Sequence, residues 1–479
     1  MSTLRSPTLP AAAGADMLAR RPLMTLLAMA ALFLAAMDST IVGTLLPFVK
    51  EELHDQALYP WLMSGFIVCS IIATPITGRL ADALGERSAM QLALGLFLLG
   101  SAAVWWAPSM PLLVAARSFQ GLGAGAVTVM AYILVGRLFK DAERGKMQGL
   151  LSLVWGLAAV VGPLAGALLH GQWGWRSAFA VNVPFCGLIM VLLAALYPGR
   201  RATAAGPAAP FDALSQALFV VLVASALLLV MAPSLPQLQG EARTACSAAL
   251  LASAVLLLWR VRRRPEGSPL PTVFFAEARY AAPAAATVLA SVVLYAAVTL
   301  LPLYLHQATG VSAVRAGLVV MSAALGWVVG SAVCGGLLQR LGHRWPVLVG
   351  SVALTLGGAG LFTAAADAPL AWFAAAQALI GLGIGFVATA ALVLVQNQSP
   401  VARIGSFTAA VQLCRNLGAA LGINVVASLQ IAALRNLQAA QRADAWSASF
   451  AQSFGLLVGL GLLAFVVGLA VPAQAQRRG

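Results

Sequence analysis

Apolar residues in this chain come in long runs broken only by short polar connections. The first run begins at Pro22 and continues to Val49. A helix needs about 20 apolar residues to cross a bilayer core, and by that measure roughly fourteen segments qualify. They run from 22–48 and 58–79 to 403–432 and 450–472. Almost nothing is left over for a soluble domain. The pattern predicts an all-α polytopic membrane protein. Arg20 and Arg21 before the first run resemble the front of a signal peptide, whose apolar region is only about 7–15 residues long. The run here is longer and reads as a first transmembrane helix with a basic flank.

The polar connections carry the orientation. One set holds Arg79, Arg87, Arg137, Lys140, Arg144, Lys146, Arg200, Arg201, Arg260, Arg262, Arg263, Arg264, Arg340, Arg344 and Arg403. The alternate set has only Lys50, Arg176, Arg243, Arg315, Arg435 and Arg442. Basic loops stay on the cytoplasmic side, so both termini are expected there, which requires an even number of spans.

The chain also repeats itself. GRLADALGER at Gly78–Arg87 aligns with GGLLQRLGHR at Gly335–Arg344, and AARSFQGLGAG at Ala115–Gly125 with AAQALIGLGIG at Ala375–Gly385. The two offsets nearly agree, and each pair falls at the same place in its half. This predicts two pseudo-repeated six-helix bundles, 1–200 and 279–479, with 201–278 as a linker carrying two extra transmembrane helices. Internal repeats in a helical membrane protein point to a secondary transporter with its site between the halves.

Composition narrows the class. Of the 479 residues, 61% are hydrophobic and 9% charged, against about 25% charged in soluble domains. The net charge of +14 would suit nucleic acid only on a basic face mixed with aromatics, and here the basic residues sit in loops. Cys69, Cys186, Cys246, Cys334 and Cys414 are odd in number and scattered, with no disulfide or zinc spacing. No metal or cofactor is expected, nor an enzymatic activity. The chain lacks G-x-x-x-x-G-K-[ST], so an ion gradient must supply the energy.

Asp38, in AAMDSTIVGTLLPFV, is the one acid well inside a predicted span. A charge near the centre of a spanning helix costs about 2.5–3.5 kcal/mol on insertion scales, so the carboxylate needs a partner or a use. In the connection after the second span, Gly78 and Gly85 permit a tight turn, and Asp82 offers an anion to a neighbouring helix N-terminus.

GRLADALGER resembles the G-x-L-A-D-x-x-G-x-R signature of the major facilitator superfamily, and the chain resembles in particular its fourteen-span drug:proton antiporter branch. MDSTIVGTLLP is similar to that branch's D-x-T-x-V-x-x-x-L-P, and WRSAFAVNVP at Trp175–Pro184 to its W-R-x-x-F-x-x-N-x-P. The resemblance implies that Gly78, Asp82, Gly85 and Arg87 form a latch between the bundles. Gln339 stands where the second half would carry the matching acid, so the latch is expected to be one-sided. LVAARSFQGLGAG resembles the family's R-x-x-Q-G motif and holds Arg117 and Gln120. Arg117 either snorkels to the interface or faces Asp38, from which it differs in depth by only about 6 Å. GLAAVVGPLAGALL, with Gly156, Gly162, Pro163 and Gly166, looks like the motif of the family's exporters; glycines allow close helix approach and the proline bends the span.

Gln120, Trp155, Trp327 and Arg415 are candidates for a substrate cavity. The two tryptophans either stack on an aromatic or cationic substrate or simply pack between helices. Arg415, near mid-depth, pairs with carbonyls or the pocket, or binds an anionic group. The resemblance implies a proton-coupled antiporter that exports small apolar or amphipathic compounds by alternating access, with Asp38 and Arg117 as the coupling pair. A narrower metabolite transporter, a proton symporter and a lipid exporter are the alternatives; a receptor would be expected to carry a soluble domain. Its partners would be the small-molecule substrate, protons and the lipid bilayer, with no nucleic acid. A monomer in a bacterial cytoplasmic membrane is expected.

Overall fold

The computed structural model describes residues 11–53, 58–59, 61–139, 141–197, 212–232, 239–264, 268–307, 309–365, 367–439 and 445–473. Lys140, Arg200, Arg201 and Arg442, which entered the charge pattern, lie outside the described residues. Among the described residues there is no strand, and 14 helices are long and apolar enough to cross a membrane. The first six are α1 (Ala11–Leu53), α2 (Trp61–Leu84), α3 (Glu86–Trp105), α4 (Met110–Leu138), α5 (Asp141–Trp173) and α6 (Asn182–Leu196). Two follow as a hairpin, α7 (Ala213–Met231) and α8 (Glu241–Arg263). The last six are α9 (Ala278–Gln307), α10 (Ala313–Leu341), α11 (Arg344–Phe362), α12 (Leu370–Gln398), α13 (Ile404–Leu421) and α14 (Ala445–Leu469). A π-helical turn at Gly422–Val426 carries α13 into a further helical stretch, Ala427–Ala439.

The sequence repeat has a tertiary counterpart. Gly85 (φ 82°) separates α2 from α3, and Gly342 (φ 69°) separates α10 from α11, a left-handed backbone that glycine adopts without a Cβ penalty. Just beyond each turn an arginine reaches the closing carbonyls of the last helix in its set. Arg87 Nη2 donates to Ala194 O of α6 at 2.5 Å, and Arg344 donates to Leu469 O of α14. Such bonds satisfy the carbonyls that a helix C-terminus leaves open. Gly78 behaves differently from expectation. It lies one and a half turns inside α2, where the chain does not turn, and its missing side chain serves packing.

That packing forms a seam between the two sets of helices at the arginine-rich end, where α2, α4, α10 and α12 finish and α5 and α13 begin. A Cβ at Gly78 would stand 2.5 Å from Ala409 Cβ and 2.7 Å from Gly405 O of α13. At the pseudo-equivalent place, a Cβ at Gly335 of α10 would strike Gly145 O of α5, and one at Gly149 would stand 3.1 Å from Ala332 Cα. Polar bonds reinforce the seam. Arg144 Nη1 donates to Asn397 Oδ1 at 2.5 Å, Gln148 Nε2 to Gln396 Oε1 at 3.3 Å, and Gln396 Nε2 to Tyr132 O at 3.1 Å. The arginine-rich end is therefore closed.

The α7–α8 hairpin packs at the side of the bundle. Phe219, Val223 and Leu227 of α7 are buried with Phe274 and Tyr280, whereas Leu251, Val255, Leu258 and Trp259 of α8 are exposed, as suits a helix facing lipid. Asp212 ties the pair together. Its carboxylate accepts from Ser215 N at the start of α7 (3.4 Å) and from the Arg260 fork of α8 (2.6 and 2.7 Å). The Arg260 guanidinium holds the Asp212 carboxyl well below the usual carboxylate range. A depressed folded pKa means the tie stabilises the fold at neutral pH and is lost only as pH falls through that low value.

The glycine seam makes a prediction. Overpacking a tight contact costs about 1–3 kcal/mol, and each 1.4 kcal/mol is about tenfold in population. In a background with the native cysteines replaced by serine, Gly78→Val should raise labelling of Thr128→Cys from the arginine-rich end about tenfold. Unchanged labelling would show that the seam tolerates a side chain.

Candidate functional site

Three polar constellations interrupt the apolar interior, and α4 contributes to all of them. The first surrounds Asp38 on α1. Arg117 Nη1, from α4, lies 2.6 Å from Asp38 Oδ2. Gln120 Nε2, one turn further along α4, donates to Asp38 Oδ1 at 2.9 Å, and Asn182 Nδ2 of α6 donates to the same oxygen at 2.9 Å. Gln120 also accepts from Arg117 (2.6 Å) and donates to Ser101 Oγ of α3 (2.8 Å). Asp38 and Arg117 are each 1% exposed, so the pair is sealed inside the first six helices. The Arg117 guanidinium carbon lies 4.2 Å from the centroid of the Phe66 ring and 5.4 Å from that of Phe179. These π-faces attract a desolvated cation where, among the described residues, Arg117 Nε and Nη2 have no hydrogen-bond acceptor. Removing one partner of a buried ion pair typically costs about 3–5 kcal/mol, because the other charge stays buried.

Of the two readings open for Arg117, the structure takes the inward one; the arginine does not snorkel. Gln120 differs from expectation. It is fully buried beside Asp38 and does not line the cavity, because its place one turn from Arg117 puts both on the face of α4 that meets α1 and α3. Asn182 was within reach of the sequence, since it is the asparagine of WRSAFAVNVP, but nothing there said which carboxylate it meets. The same stretch anchors the far end of α1, where Trp175 Nε1 donates to Glu52 Oε2 at 2.6 Å and Arg176 pairs with Glu52.

The second constellation sits at the seam. Asp82 Oδ1 accepts from Gly405 N at 2.8 Å, and Oδ2 from Ser406 N at 2.8 Å and Ser406 Oγ at 2.5 Å. A carboxylate thus caps the opening of α13 from the other set of helices, where the unpaired N–H groups and the helix dipole favour an anion. Arg137, at the end of α4, bridges Asp82 (2.8 Å) and Glu86 (2.7 Å). Arg137 was visible in the sequence only as one loop charge among many. Arg87 does not join this cluster; its bond to Ala194 holds α3 to α6. Gln339, at the place matching Asp82, leaves the opposite seam to Gly145 and Gly335.

The exporter-type motif on α5 divides between two surfaces. Gly156 faces the other set, where a Cβ would meet Val328 Cγ2 at 2.5 Å. Gly162 and Gly166 lie against α1: a Cβ at Gly162 would strike Thr40 Oγ1, and one at Gly166 would stand 2.8 Å from Ile41 Cγ1. Thr40 Oγ1 donates to Ala158 O at 3.0 Å across that contact. Pro163 lies inside α5, between the two glycines that bring α1 close.

The third constellation is a cavity of about 80 Å³ between the two sets, lined by Thr128 and Trp155 on one side and Tyr295, Trp327, Gln412 and Arg415 on the other. Arg415 Nη1 donates to Tyr132 Oη of α4 at 3.3 Å, and its guanidinium carbon lies 5.3 Å from the Tyr132 ring centroid and 5.9 Å from that of Trp327. Trp155, Trp327 and Arg415 therefore share one cavity, while Asp38 lies apart from it. Tyr132, Tyr295 and Gln412 carry no motif and were missed.

Related helical sets that meet around a mid-depth polar cavity, with a closed seam at one end, are the architecture of a membrane transporter. The sequence profile of the Major Facilitator Superfamily matches residues 28–423, and the chain belongs to that family. It is 27% identical to the multidrug transporter protein MdtP of Bacillus subtilis (strain 168) over 407 residues, 85% of this chain and 75% of the relative. The crystal structure of the human organic anion transporter MFSD10 matches with a TM-score of 0.66 at 16% identity, over 94% of this chain and 99% of its own. The proton:xylose symporter XylE matches with 0.63 at 15% identity, over 92% and 94%. Identities this low establish a shared fold.

Hydrogen bonds to a charged group contribute about 1.5–3 kcal/mol. Asp82→Asn keeps the shape and loses the charge that caps α13 and holds Arg137. It should insert normally and bind substrate with unchanged affinity, but turn over several-fold more slowly. Wild-type turnover in purified, correctly inserted protein would remove Asp82 from the working cycle.

Proposed function

We propose that the protein is a proton-coupled antiporter that exports small apolar or amphipathic compounds by alternating access. The observation that carries this reading is the Asp38–Arg117 pair, a carboxylate of α1 buried at membrane depth against α4, the helix that also reaches the cavity and the seam. The similarity to a multidrug transporter supports export. The arginine-rich end is the cytoplasmic one, on the strength of the loop charges. The closed seam then marks an outward-facing conformation, in a multi-pass protein of a bacterial cytoplasmic membrane with both termini inside.

Direct competition of proton and substrate for one carboxylate does not suit this geometry, because Asp38 is sealed from the cavity. Coupling runs instead along α4. Arg117 and Gln120 hold Asp38, Thr128 and Tyr132 face the cavity region, and Arg137 grips Asp82, some 30 Å from Arg117 at 1.5 Å per residue. A proton on Asp38 removes the charge that Arg117 and Gln120 grip. The resulting shift of α4 changes cavity and seam together, and a rigid element with two positions can link the sites in this way. One proton crossing 100 mV supplies about 2.3 kcal/mol, enough for roughly a fifty-fold substrate gradient.

Asp38→Asn should fold, insert and bind substrate while losing export driven by a pH gradient in everted vesicles. Export against a gradient at the wild-type rate would leave Asp38 a purely structural residue. Sidedness has its own test: single cysteines labelled from outside should react at Gln239 and not at Lys140, which lies outside the described residues. Reaction of both from one side would overturn the orientation. The proton:xylose symporter shares the fold, so symport is the competing reading, and a proton flux in the same direction as substrate would establish it.

A further inference from the structure

We infer that the cavity selects organic anions, an aromatic or apolar body bearing a carboxylate or similar group, with Arg415 as the residue that recognises the charge. The inference rests on the reading of the cavity as the substrate site and adds the substrate class. No acid lines the cavity or the smaller space that adjoins it. Among the described residues no carboxylate lies within ion-pair distance of Arg415. It is 8% exposed, its hydrogen bond to Tyr132 is a long one of 3.3 Å, and its guanidinium lies near the Tyr132 and Trp327 rings. A buried cation without a counter-ion is costly and marks a functional site within a membrane protein.

The other polar groups of the cavity point to the same chemistry. Trp155 Nε1 and Gln412 Nε2 are buried, and among the described residues neither has an acceptor. Indole nitrogen can only donate. Two donors from opposite sides of the cavity, beside a guanidinium that no carboxylate meets, lack an acceptor of the kind a carboxylate would supply. Guanidinium and carboxylate match as a planar, two-bond fork, and the rings of Trp155 and Trp327 offer flat apolar surface to the rest of the molecule. The membrane acid cannot reverse this preference, because the Asp38 charge is already met by Arg117, Gln120 and Asn182 within the first six helices. A cationic compound would meet the positive Arg415, with no carboxylate lining the cavity to offset it.

The test uses the purified full-length protein in detergent and a matched probe series: 2-naphthoate, methyl 2-naphthoate and 2-naphthylmethylammonium. Binding is read as quenching of tryptophan fluorescence, with Trp155→Phe and Trp327→Phe used to assign the signal to the cavity. Wild type should bind naphthoate at least about tenfold more tightly than the ammonium compound, as expected for a charge-assisted pair. Arg415→Gln should weaken naphthoate about tenfold to a hundredfold and leave the methyl ester unchanged, which also shows that the variant is folded. Arg415→Lys should fall between them, keeping the charge without the fork. Equal or tighter binding of the ammonium compound by wild type, or a naphthoate preference that survives Arg415→Gln, would overturn the inference. Displacement of naphthoate by chloride at equal concentration would assign Arg415 to an inorganic anion and overturn the organic class. Everted-vesicle flux separates this result from the transport reading. Anion-selective binding without export would sink export alone, and export of the ammonium compound in preference to naphthoate would sink the anion class alone.

Discussion

The structure depends on one constraint: hydrocarbon offers no hydrogen-bond partner, so every polar group placed at membrane depth must be met by another part of the protein. The Asp38 carboxylate shows how this is done. One carboxylate accepts from Arg117, Gln120 and Asn182, drawn from two helices that are far apart in sequence. The guanidinium opposite it spends its remaining surface on two aromatic rings. Neither charge would be stable there alone. Together they fix the positions of α1, α4 and α6 relative to one another.

Glycines and polar bonds together govern contact between the sets. Seams built from backbone against backbone, as at Gly78 with Gly405 and Gly145 with Gly335, bring the sets close, and the Arg144–Asn397 and Gln148–Gln396 bonds cross beside the second. The Asp82 cap on α13 adds a directional bond to one seam only. Its counterpart, at Gln339, has none of that charge. The two seams therefore differ in kind, with a carboxylate cap at one and arginine and glutamine bonds beside the other.

The cavity has the opposite character to the Asp38 cluster. There Trp155 Nε1 and Gln412 Nε2 have no acceptor among the described residues and, with the Arg415 guanidinium, face a small space that no carboxylate lines. α4 joins the two kinds of site within a single rigid helix, and in the proposed mechanism this continuity is the route from the proton site to the substrate site.

Much of the architecture was legible in the sequence, because spanning a membrane demands about 20 consecutive apolar residues and leaves a signal that no tertiary contact can erase. Fourteen helices, the repeat of GRLADALGER in GGLLQRLGHR and the exceptional position of Asp38 all follow from local pattern. Depth along each helix was readable too, at 1.5 Å per residue, and it brought Arg117 level with Asp38 before any coordinates. What a helix presents to which neighbour was not readable, since that depends on its rotation and on partners a hundred or more residues away. So Gln120 turned to Asp38 and away from the cavity, Arg87 to the end of α6 and away from the latch, and Gly78 to a helix seam and not to a turn. Asn182, Arg137, Tyr132 and Gln412 gained their places only when the helices packed, because a donor on an apolar helix acquires meaning from the acceptor it meets or fails to meet.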